Sequence, residues 1–294
     1  MNNFTNISFP AFGLEINPPK GFSLFGLDIR FYGIVIAIGL LAAVFYGLAR
    51  KEQFGLTEDN ILDGILCVVP VAIIFARAYY CVFAWEEFAD NPISVLYIWQ
   101  GGIAIYGGVI GAALGVIVFC LVKKLNLAAV LDIVALGFLI GQSIGRWGNF
   151  FNREAFGAET ESFFRMGLTN ADTQEITYYH PTFLYESVWN AIGFVLLHFW
   201  SKRRQYNGQI ALGYVAWYGL GRTFIEGLRT DSLYWGAFRV SQLLAAISCF
   251  IAVLALIVLA FVNWNKEKLF VKTVAARNKE GEQKDENCDE EASL

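Results

Sequence analysis

Residues 128–157 read AAVLDIVALGFLIGQSIGRWGNFFNREAFG, and the stretch changes character about halfway along its length. Its first part, 128–145, is apolar and about as long as a helix needs to be to cross the hydrocarbon core of a bilayer. The polar side chains that follow are Arg146, Asn149, Asn152, Arg153 and Glu154. Ionisable groups at the edge of a membrane are costly and usually mark a functional site. The stretch therefore predicts a membrane-spanning helix with a site at one end.

The whole chain has the composition of a membrane protein. Of its 294 residues, 56% are hydrophobic and 16% are charged, whereas soluble domains carry about 25% charged residues. The predicted spans are 29–48, 62–84, 102–122, 128–145, 183–200, 209–228 and 239–263. We therefore expect an all-α integral membrane protein with about seven transmembrane helices and a polar site on the outer side. It would form a single domain over residues 1–271, followed by a disordered, charged cytoplasmic tail at 272–294.

Lysine and arginine in the short loops predict the orientation in the membrane, because cytoplasmic loops carry an excess of both. Basic residues follow the first, third, fifth and seventh predicted spans: Arg50, Lys51, Lys123, Lys124, Lys202, Arg203, Arg204, Lys266, Lys268 and Lys272. These ends should face the cytoplasm. The N-terminus is then predicted outside and the C-terminus inside.

Outside the predicted tail at 272–294, the remaining basic residues are almost all arginine. They lie at predicted outer or intramembrane positions: Lys20, Arg30, Arg77, Arg146, Arg153, Arg165, Arg222, Arg229 and Arg239. Topology alone needs only positive charge, but arginine also offers a planar fork that binds phosphate with two hydrogen bonds. The set therefore favours a bound anion, most simply a phosphate. The alternative is that these arginines pair with outer carboxylates or extend to lipid headgroups.

Metal, cofactor and nucleic-acid binding are not expected. The five cysteines are not spaced as metal ligands, and the two histidines, His180 and His198, are too few for a histidine-based site. The net charge of −4 is a poor guide to partners, because much of the acid lies in the last sixteen residues, but no part of the chain is basic enough to suggest nucleic acid.

Four further segments place polar residues at the ends of predicted spans. Residues 101–111, GGIAIYGGVIG, carry Tyr106, and residues 30–33, RFYG, carry Tyr32; both tyrosines could equally be interface anchors. Residues 180–186, HPTFLYE, begin with His180, which could cap a helix or line a vestibule. In residues 218–229, YGLGRTFIEGLR, Arg222 and Glu226 are four apart and share a helix face, and Arg229 follows three residues later.

Together with GRWGNFFNREAFG at 145–157, these segments resemble the prolipoprotein diacylglyceryl transferases of bacteria, from about Pro18 to the end of the seventh predicted span. The resemblance implies transfer of the diacylglyceryl group of phosphatidylglycerol to the thiol of a lipobox cysteine in a preprolipoprotein. A thioether would form and glycerol phosphate would leave. It also implies a protein of the bacterial plasma membrane that works without a cofactor, and we expect it to be a monomer.

The resemblance also implies roles for individual residues. Arg146 would bind the lipid phosphate and Arg222 would be essential. Residues important in the family correspond to Tyr32, Asn149, Glu154 and Gly157. From the residues themselves, we expect Glu154 or Glu226 to orient the arginines, with Arg229 and His180 also in the substrate site.

The chain departs from a common family pattern at Tyr106, where many members have a histidine proposed as the general base. A tyrosine ordinarily has a pKa near 10 and is a poor base at neutral pH. Either Tyr106 orients the phosphate, or the thiol loses its proton elsewhere.

Two other kinds of protein would use the same arginines: an anion transporter or channel, and a lipid-binding scaffold without turnover. A transporter should show internal repeats, and none is visible. Residues 141–145, GQSIG, match the G-x-S-x-G motif of serine hydrolases, but Ser143 lies in an apolar, helix-like run instead of the strand–turn–helix that the motif needs.

Overall fold

A computed structural model of the protein describes residues 4–24, 27–229, 234–235, 238–263 and 269. The predicted tail at 272–294, with Lys266, Lys268 and Lys272, lies outside the described residues. The helices of the described part are α1 (Phe31–Arg50), α2 (Glu58–Phe83), α3 (Ile105–Val122), α4 (Leu127–Asn152), α5 (Thr182–Ser201), α6 (Gln209–Ile225) and α7 (Val240–Val262). Each predicted span therefore coincides with a helix, and the fold is mostly helical as expected.

Among the described residues, five helices are long and apolar enough to cross a membrane: α1 to α4 and α7. The other two fall short of that measure. Helix α6 has only 17 residues, and α5 contains polar residues, among them Glu186 and Asn190, that make it less apolar. The protein is thus a multi-pass membrane protein, while the count of seven spans stays a prediction.

Helix α4 is longer than its apolar run. The prediction that it ends at residue 145 is wrong, because the helix continues to Asn152. The additional turns remain helical because their aromatic side chains pack on α5. The rings of Trp147 and Phe150 lie 5.6 and 5.4 Å from that of Phe183. Arg146 and Asn149 consequently stand on a helix and not in a loop.

The described part of the chain forms two compact units, one within residues 1–47 and 132–294 and the other within residues 48–131. In the second unit, Thr57 starts α2 with a capping box, in which Thr57 and Asn60 exchange side-chain and backbone hydrogen bonds of 3.2 and 3.0 Å. Helices α2 and α3 are antiparallel and pack through glycines. A Cβ on Gly107 would lie 2.4 Å from the carbonyl oxygen of Phe75, so only glycine permits this approach.

The first unit contains short strands that the all-α prediction missed. They are β1 (Phe4–Phe9), β2 (Leu14–Ile16), β3 (Gly21–Leu24), β4 (Leu27–Arg30), β5 (Met166–Asn170), β6 (Ile176–Tyr179), β7 (Tyr234–Trp235) and β8 (Phe238–Arg239). Strands β2, β1, β5 and β6 form an antiparallel sheet in that order. Its buried side chains, among them Ile7 and Leu168, join Phe150 and Phe183 in one hydrophobic core. The sheet is therefore fixed to the end of α4 and the start of α5.

The carboxylate of Asp132, which lies in α4, caps the N-terminus of α6. Asp132 is fully buried and pairs with Arg204 at 2.9 Å. Its two oxygens also accept hydrogen bonds of 2.9 Å from the backbone N–H groups of Gly208, Ile210 and Ala211. These N–H groups have no partner within the helix, so the carboxylate accepts their hydrogen bonds. Its negative charge also interacts favourably with the positive end of the helix dipole. The charge at Asp132 thus has a structural explanation.

Two tryptophans join α5 to α6. The indole N–H of Trp189 donates to the carbonyl of Trp217, and that of Trp217 donates to the carbonyl of Trp189, both at 3.0 Å. The two rings stack with their centroids 4.3 Å apart. Gly221 and Gly193 leave the space, because a Cβ on either would lie 2.2 or 2.3 Å from an indole nitrogen. This tryptophan pair holds the two helices that carry Glu186 and Arg222.

Replacing Gly221 with Ala should lower the free energy of unfolding by about 1–3 kcal/mol, because the added methyl group overlaps the Trp189 indole. Gly141→Ala is the control, since a Cβ there meets nothing within 4 Å. Denaturant titration of the purified protein, followed by tryptophan fluorescence, measures both variants. Equal stability of the two would contradict this account of the pair.

Candidate functional site

Three arginines surround one buried carboxylate. Glu186, on the first turns of α5, has only 3% of its side chain exposed. Its Oε2 forms an ion pair with Nη2 of Arg146. Its Oε1 lies 3.1 Å from Nη1 of Arg222 and 3.7 Å from Nη1 of Arg229. We call these four residues the arginine cluster. It gathers guanidinium groups from α4, α6 and the segment after α6.

Hydroxyl groups next to the cluster fix α4 against α5. The Ser143 hydroxyl donates to the Ser187 carbonyl at 2.9 Å, and the Ser187 hydroxyl donates to the Ser143 carbonyl at 2.7 Å. The indole N–H of Trp147 adds a bond of 3.2 Å to the Ser187 hydroxyl. Ser143 lies inside α4, without the strand–turn–helix of a hydrolase nucleophile. Its hydroxyl joins α4 to α5 three residues from Arg146.

A second carboxylate holds Arg222 from its own helix turn. Nη2 of Arg222 forms an ion pair with Oε2 of Glu226, four residues on, so the predicted pairing on one helix face is confirmed. Glu226 is 3% exposed. Nη1 of Arg239 donates to the Glu226 backbone carbonyl. Arg222 is therefore held between two buried glutamates.

A network of amides extends the cluster along the end of α4. Nη1 of Arg146 lies 3.5 Å from Oδ1 of Asn149. The Asn149 amide donates to Oε1 of Glu154 at 3.1 Å, and the Asn152 amide donates to the same oxygen at 3.1 Å. Glu154 is thus connected to Arg146 only through Asn149, whereas Glu226 contacts Arg222 directly.

Gly157 brings the chain close to Arg229. It lies opposite Arg229 in an isolated β-bridge, and its N–H donates to the His180 carbonyl at 2.9 Å. A Cβ there would lie 2.8 Å from both the His180 Cβ and the Leu228 carbonyl oxygen. Glycine is therefore needed for this close approach. Nδ1 of His180 lies 3.3 Å from the Tyr185 hydroxyl. The role of His180 in substrate binding stays a prediction.

Tyr32, on the first turn of α1, packs against α4. A Cβ on Gly148 would lie 2.7 Å from Cδ2 of the Tyr32 ring. The ring therefore lies directly against Gly148, two residues after Arg146. Tyr32 is 37% exposed.

Several predicted anion ligands serve another purpose, which corrects the expectation from composition. Arg153 is buried and donates to the carbonyls of Thr5, Pro18 and Phe151 and to Oδ1 of Asn17. Burial lowers the pKa of its guanidinium below the ordinary value. Arg165 binds two carbonyls and lies 5.1 Å from the Tyr178 ring centre. These arginines tie loops down, because a guanidinium satisfies several carbonyls at once.

The second unit contains two further predicted residues. Tyr106 is the second residue of α3 and is 52% exposed. Arg77, in α2, binds backbone carbonyls of the connection between α2 and α3.

The sequence prediction of the site missed Glu186 and did not assign Arg239 a role. Glu186 ends the quoted segment HPTFLYE, and a carboxylate within an otherwise apolar run was the available signal. Arg239 was included only in the outer arginine set.

The arginine cluster has the chemistry of an anion site. At Glu186, three guanidinium groups meet one carboxylate, and Arg146 is the most open of the three, with 22% of its side chain exposed against 18% and 13%. Fixed guanidinium groups in a region of low dielectric stabilise negative charge strongly. Within the described residues, no group of three or more His, Cys, Asp or Glu side chains could hold a metal ion.

Comparison with known proteins shows which family the chain resembles. The sequence model of a family described as prolipoprotein diacylglyceryl transferase matches residues 19–259. The chain is 43% identical over 239 residues to the phosphatidylglycerol–prolipoprotein diacylglyceryl transferase of Listeria welshimeri, covering 79% of this chain and 86% of that protein. It is 41% identical over 267 residues to the Enterococcus faecalis protein of the same name, covering 86% and 96%. The Clostridium novyi protein is 41% identical over 245 residues, covering 81% and 95%.

The variant Glu186→Gln should lower the free energy of unfolding by about 3–5 kcal/mol, because it removes the buried negative charge that Arg146, Arg222 and Arg229 share and leaves only Glu226 beside Arg222. Glu58→Gln makes the same chemical change in an ion pair whose carboxylate is 61% exposed, and should change stability little. Denaturant titration of both variants provides the comparison. A Glu186→Gln protein as stable as Glu58→Gln would show that the carboxylate does not hold the cluster together.

Proposed function

The chain belongs to the prolipoprotein diacylglyceryl transferase family, and we propose that its arginine cluster binds the phosphate of the lipid substrate. The protein is a membrane-bound transferase. It moves the diacylglyceryl group of phosphatidylglycerol to the lipobox cysteine of preprolipoproteins, a step of bacterial lipoprotein maturation. The observation that carries the assignment of the site is the arrangement of Arg146, Arg222 and Arg229 on the single buried carboxylate of Glu186.

The reaction makes two demands on the site. The cysteine thiol must lose its proton, because the thiolate is the nucleophile. The thiolate then forms a bond to the carbon of the diacylglyceryl unit that carries the phosphate. The bond from that carbon to the phosphate oxygen breaks, and its electron pair leaves with glycerol phosphate. The phosphate gains negative charge as it departs. Guanidinium groups that are already oriented stabilise this charge without reorganisation in the transition state.

Arg146 is the residue we propose to hold the phosphate, with Arg222 as its partner. Glu186 forms ion pairs with Arg146 from α4 and with Arg222 from α6. Because one carboxylate holds both guanidinium groups, the two arginines can bind the same ligand. The exposed fraction of Arg146, 22%, leaves it accessible to the lipid headgroup. Their positive charge also favours the thiolate over the thiol. Arg222 and Arg146 are thus proposed to act on both the leaving group and the nucleophile.

The supporting residues are proposed to shape the substrate site around these two arginines. Asn149 and Glu154 orient Arg146, and Glu226 orients Arg222. The remaining residues that we propose near the substrate are Tyr32, Gly157, His180 and Arg229. Tyr106 is proposed as a catalytic residue on the family resemblance alone, either orienting the phosphate or assisting loss of the thiol proton.

We also propose that the protein lies in the bacterial plasma membrane as a monomer, with its N-terminus outside and its C-terminus in the cytoplasm. Charge at the helix ends supports this orientation, since Arg50 ends α1, Lys51 follows it, and Lys123 and Lys124 follow α3. Residues 1–271 would then act as one membrane domain.

Purified protein in liposomes should transfer labelled diacylglyceryl from phosphatidylglycerol to a lipobox peptide, and Arg146→Lys should reduce the rate by about 10²-fold or more, because lysine lacks the bidentate fork. Arg165→Lys is the matched control. Arg165 binds loop carbonyls outside the cluster, so its rate should stay within about twofold of wild type.

The same assay separates the alternatives. A transporter would move glycerol phosphate without the peptide, and a lipid-binding scaffold would not form a thioether product. Near-normal transfer by Arg146→Lys, with wild type active, would contradict the proposed phosphate site.

A further inference from the structure

Arg77 is a buried guanidinium whose acceptors are all backbone carbonyls. It lies in α2 and is 6% exposed. Its Nε donates to the Val95 carbonyl at 2.9 Å, and Nη2 donates to that of Ser94 at 2.7 Å. Nη1 donates to the carbonyls of Gly101 and Gly102 at 2.6 and 2.7 Å. One side chain therefore holds two separate parts of the connection between α2 and α3.

The backbone before α3 is shaped to meet this guanidinium. Gly101 and Gly102 have φ of +96° and +72°, which side chains rarely adopt. A Cβ on Gly102 would lie 2.5 Å from Nη1 of Arg77 and 2.8 Å from Cε1 of Tyr80. Only glycine therefore lets both carbonyls turn toward Arg77. We call the hydrogen bonds from Arg77 to Gly101 and Gly102 the Arg77–glycine contact.

The Arg77–glycine contact lies next to the backbone that carries Tyr106. The Ala104 N–H, two residues before Tyr106, donates to the Ala76 carbonyl, next to Arg77, at 3.0 Å. On the other side of Tyr106, Gly107 is wedged against α2 so closely that no side chain would fit. The Tyr106 ring itself is 52% exposed. The backbone on both sides of Tyr106 is thus fixed to α2, while its side chain stays accessible.

We infer that Arg77 is a positioning residue, which acts on the transfer reaction by holding the backbone that presents Tyr106. The inference rests on the proposed function and on the proposed catalytic role of Tyr106. A guanidinium buried only for stability could be replaced with a loss of stability and no change in turnover by the folded protein. A positioning residue instead changes kcat, and the change depends on the tyrosine hydroxyl.

A double-mutant cycle on the full-length enzyme tests this, with Arg77→Lys, Tyr106→Phe, the double variant and wild type. Lysine keeps the charge but lacks the planar fork that reaches four carbonyls. Arg77→Lys should lower kcat by about tenfold or more in the wild-type background, with KM for phosphatidylglycerol nearly unchanged. In the Tyr106→Phe background the same change should cost less than about twofold.

Gly102→Ala disturbs the Arg77–glycine contact while Arg77 itself is kept, in case Arg77→Lys does not fold. Its methyl group collides with Nη1 of Arg77 and should lower kcat in the same manner. Gly55→Ala is the control, because Gly55 has a similar φ of +70° and a Cβ there meets nothing within 4 Å. It carries the backbone strain alone, so its kcat should stay within about twofold of wild type.

Equal losses from Arg77→Lys in both backgrounds would overturn the inference, as would full activity of Tyr106→Phe. So would variants of Arg77 and Gly102 that unfold more easily but turn over normally when folded. If the wild-type enzyme itself fails to transfer, the proposed function fails and the inference falls with it. If wild type transfers and the cycle is additive, only the inference fails.

Discussion

The buried carboxylate of Glu186 is the interaction on which the site depends. Three guanidinium groups from separate parts of the chain would repel one another in a region of low dielectric, where charge is poorly screened. Glu186 offsets that repulsion and gives Arg146, Arg222 and Arg229 a common centre. Its own position depends on hydroxyl bonds to α4 and on the tryptophan pair with α6. The helix packing and the charge arrangement therefore stabilise each other.

Arginine has two different uses in this protein. In the cluster it faces carboxylates and is partly exposed, which suits a ligand that carries negative charge. At Arg153 and Arg77 it is buried among backbone carbonyls and fixes irregular segments next to helices. Irregular backbone near a membrane needs such partners, because water is not available to satisfy its carbonyls. Arg153 fastens the N-terminal strands, and Arg77 fastens the connection before Tyr106.

Hydrophobic pattern predicted where the helices lie, because each apolar run is long and local. It failed at Asn152, where helix α4 outlasts its apolar run and aromatic packing on Phe183 continues it. The sheet was missed because β1 and β5 are short and lie far apart in sequence, so their pairing leaves no local signal. The pairing of Arg222 with Glu226 was predictable from helical spacing, whereas Glu186 was not, since its partners come from other helices. Sequence counted the arginines but could not tell which face carboxylates and which face carbonyls.

The most direct test is an experimental structure of the protein with phosphatidylglycerol bound. The account predicts phosphate oxygens within about 3 Å of the guanidinium nitrogens of Arg146 and Arg222, with Glu186 still in contact with both arginines. A phosphate bound elsewhere, with the arginine cluster closed on Glu186 and away from the lipid, would contradict the assignment. The cluster would then be a structural ion-pair network and not the substrate site.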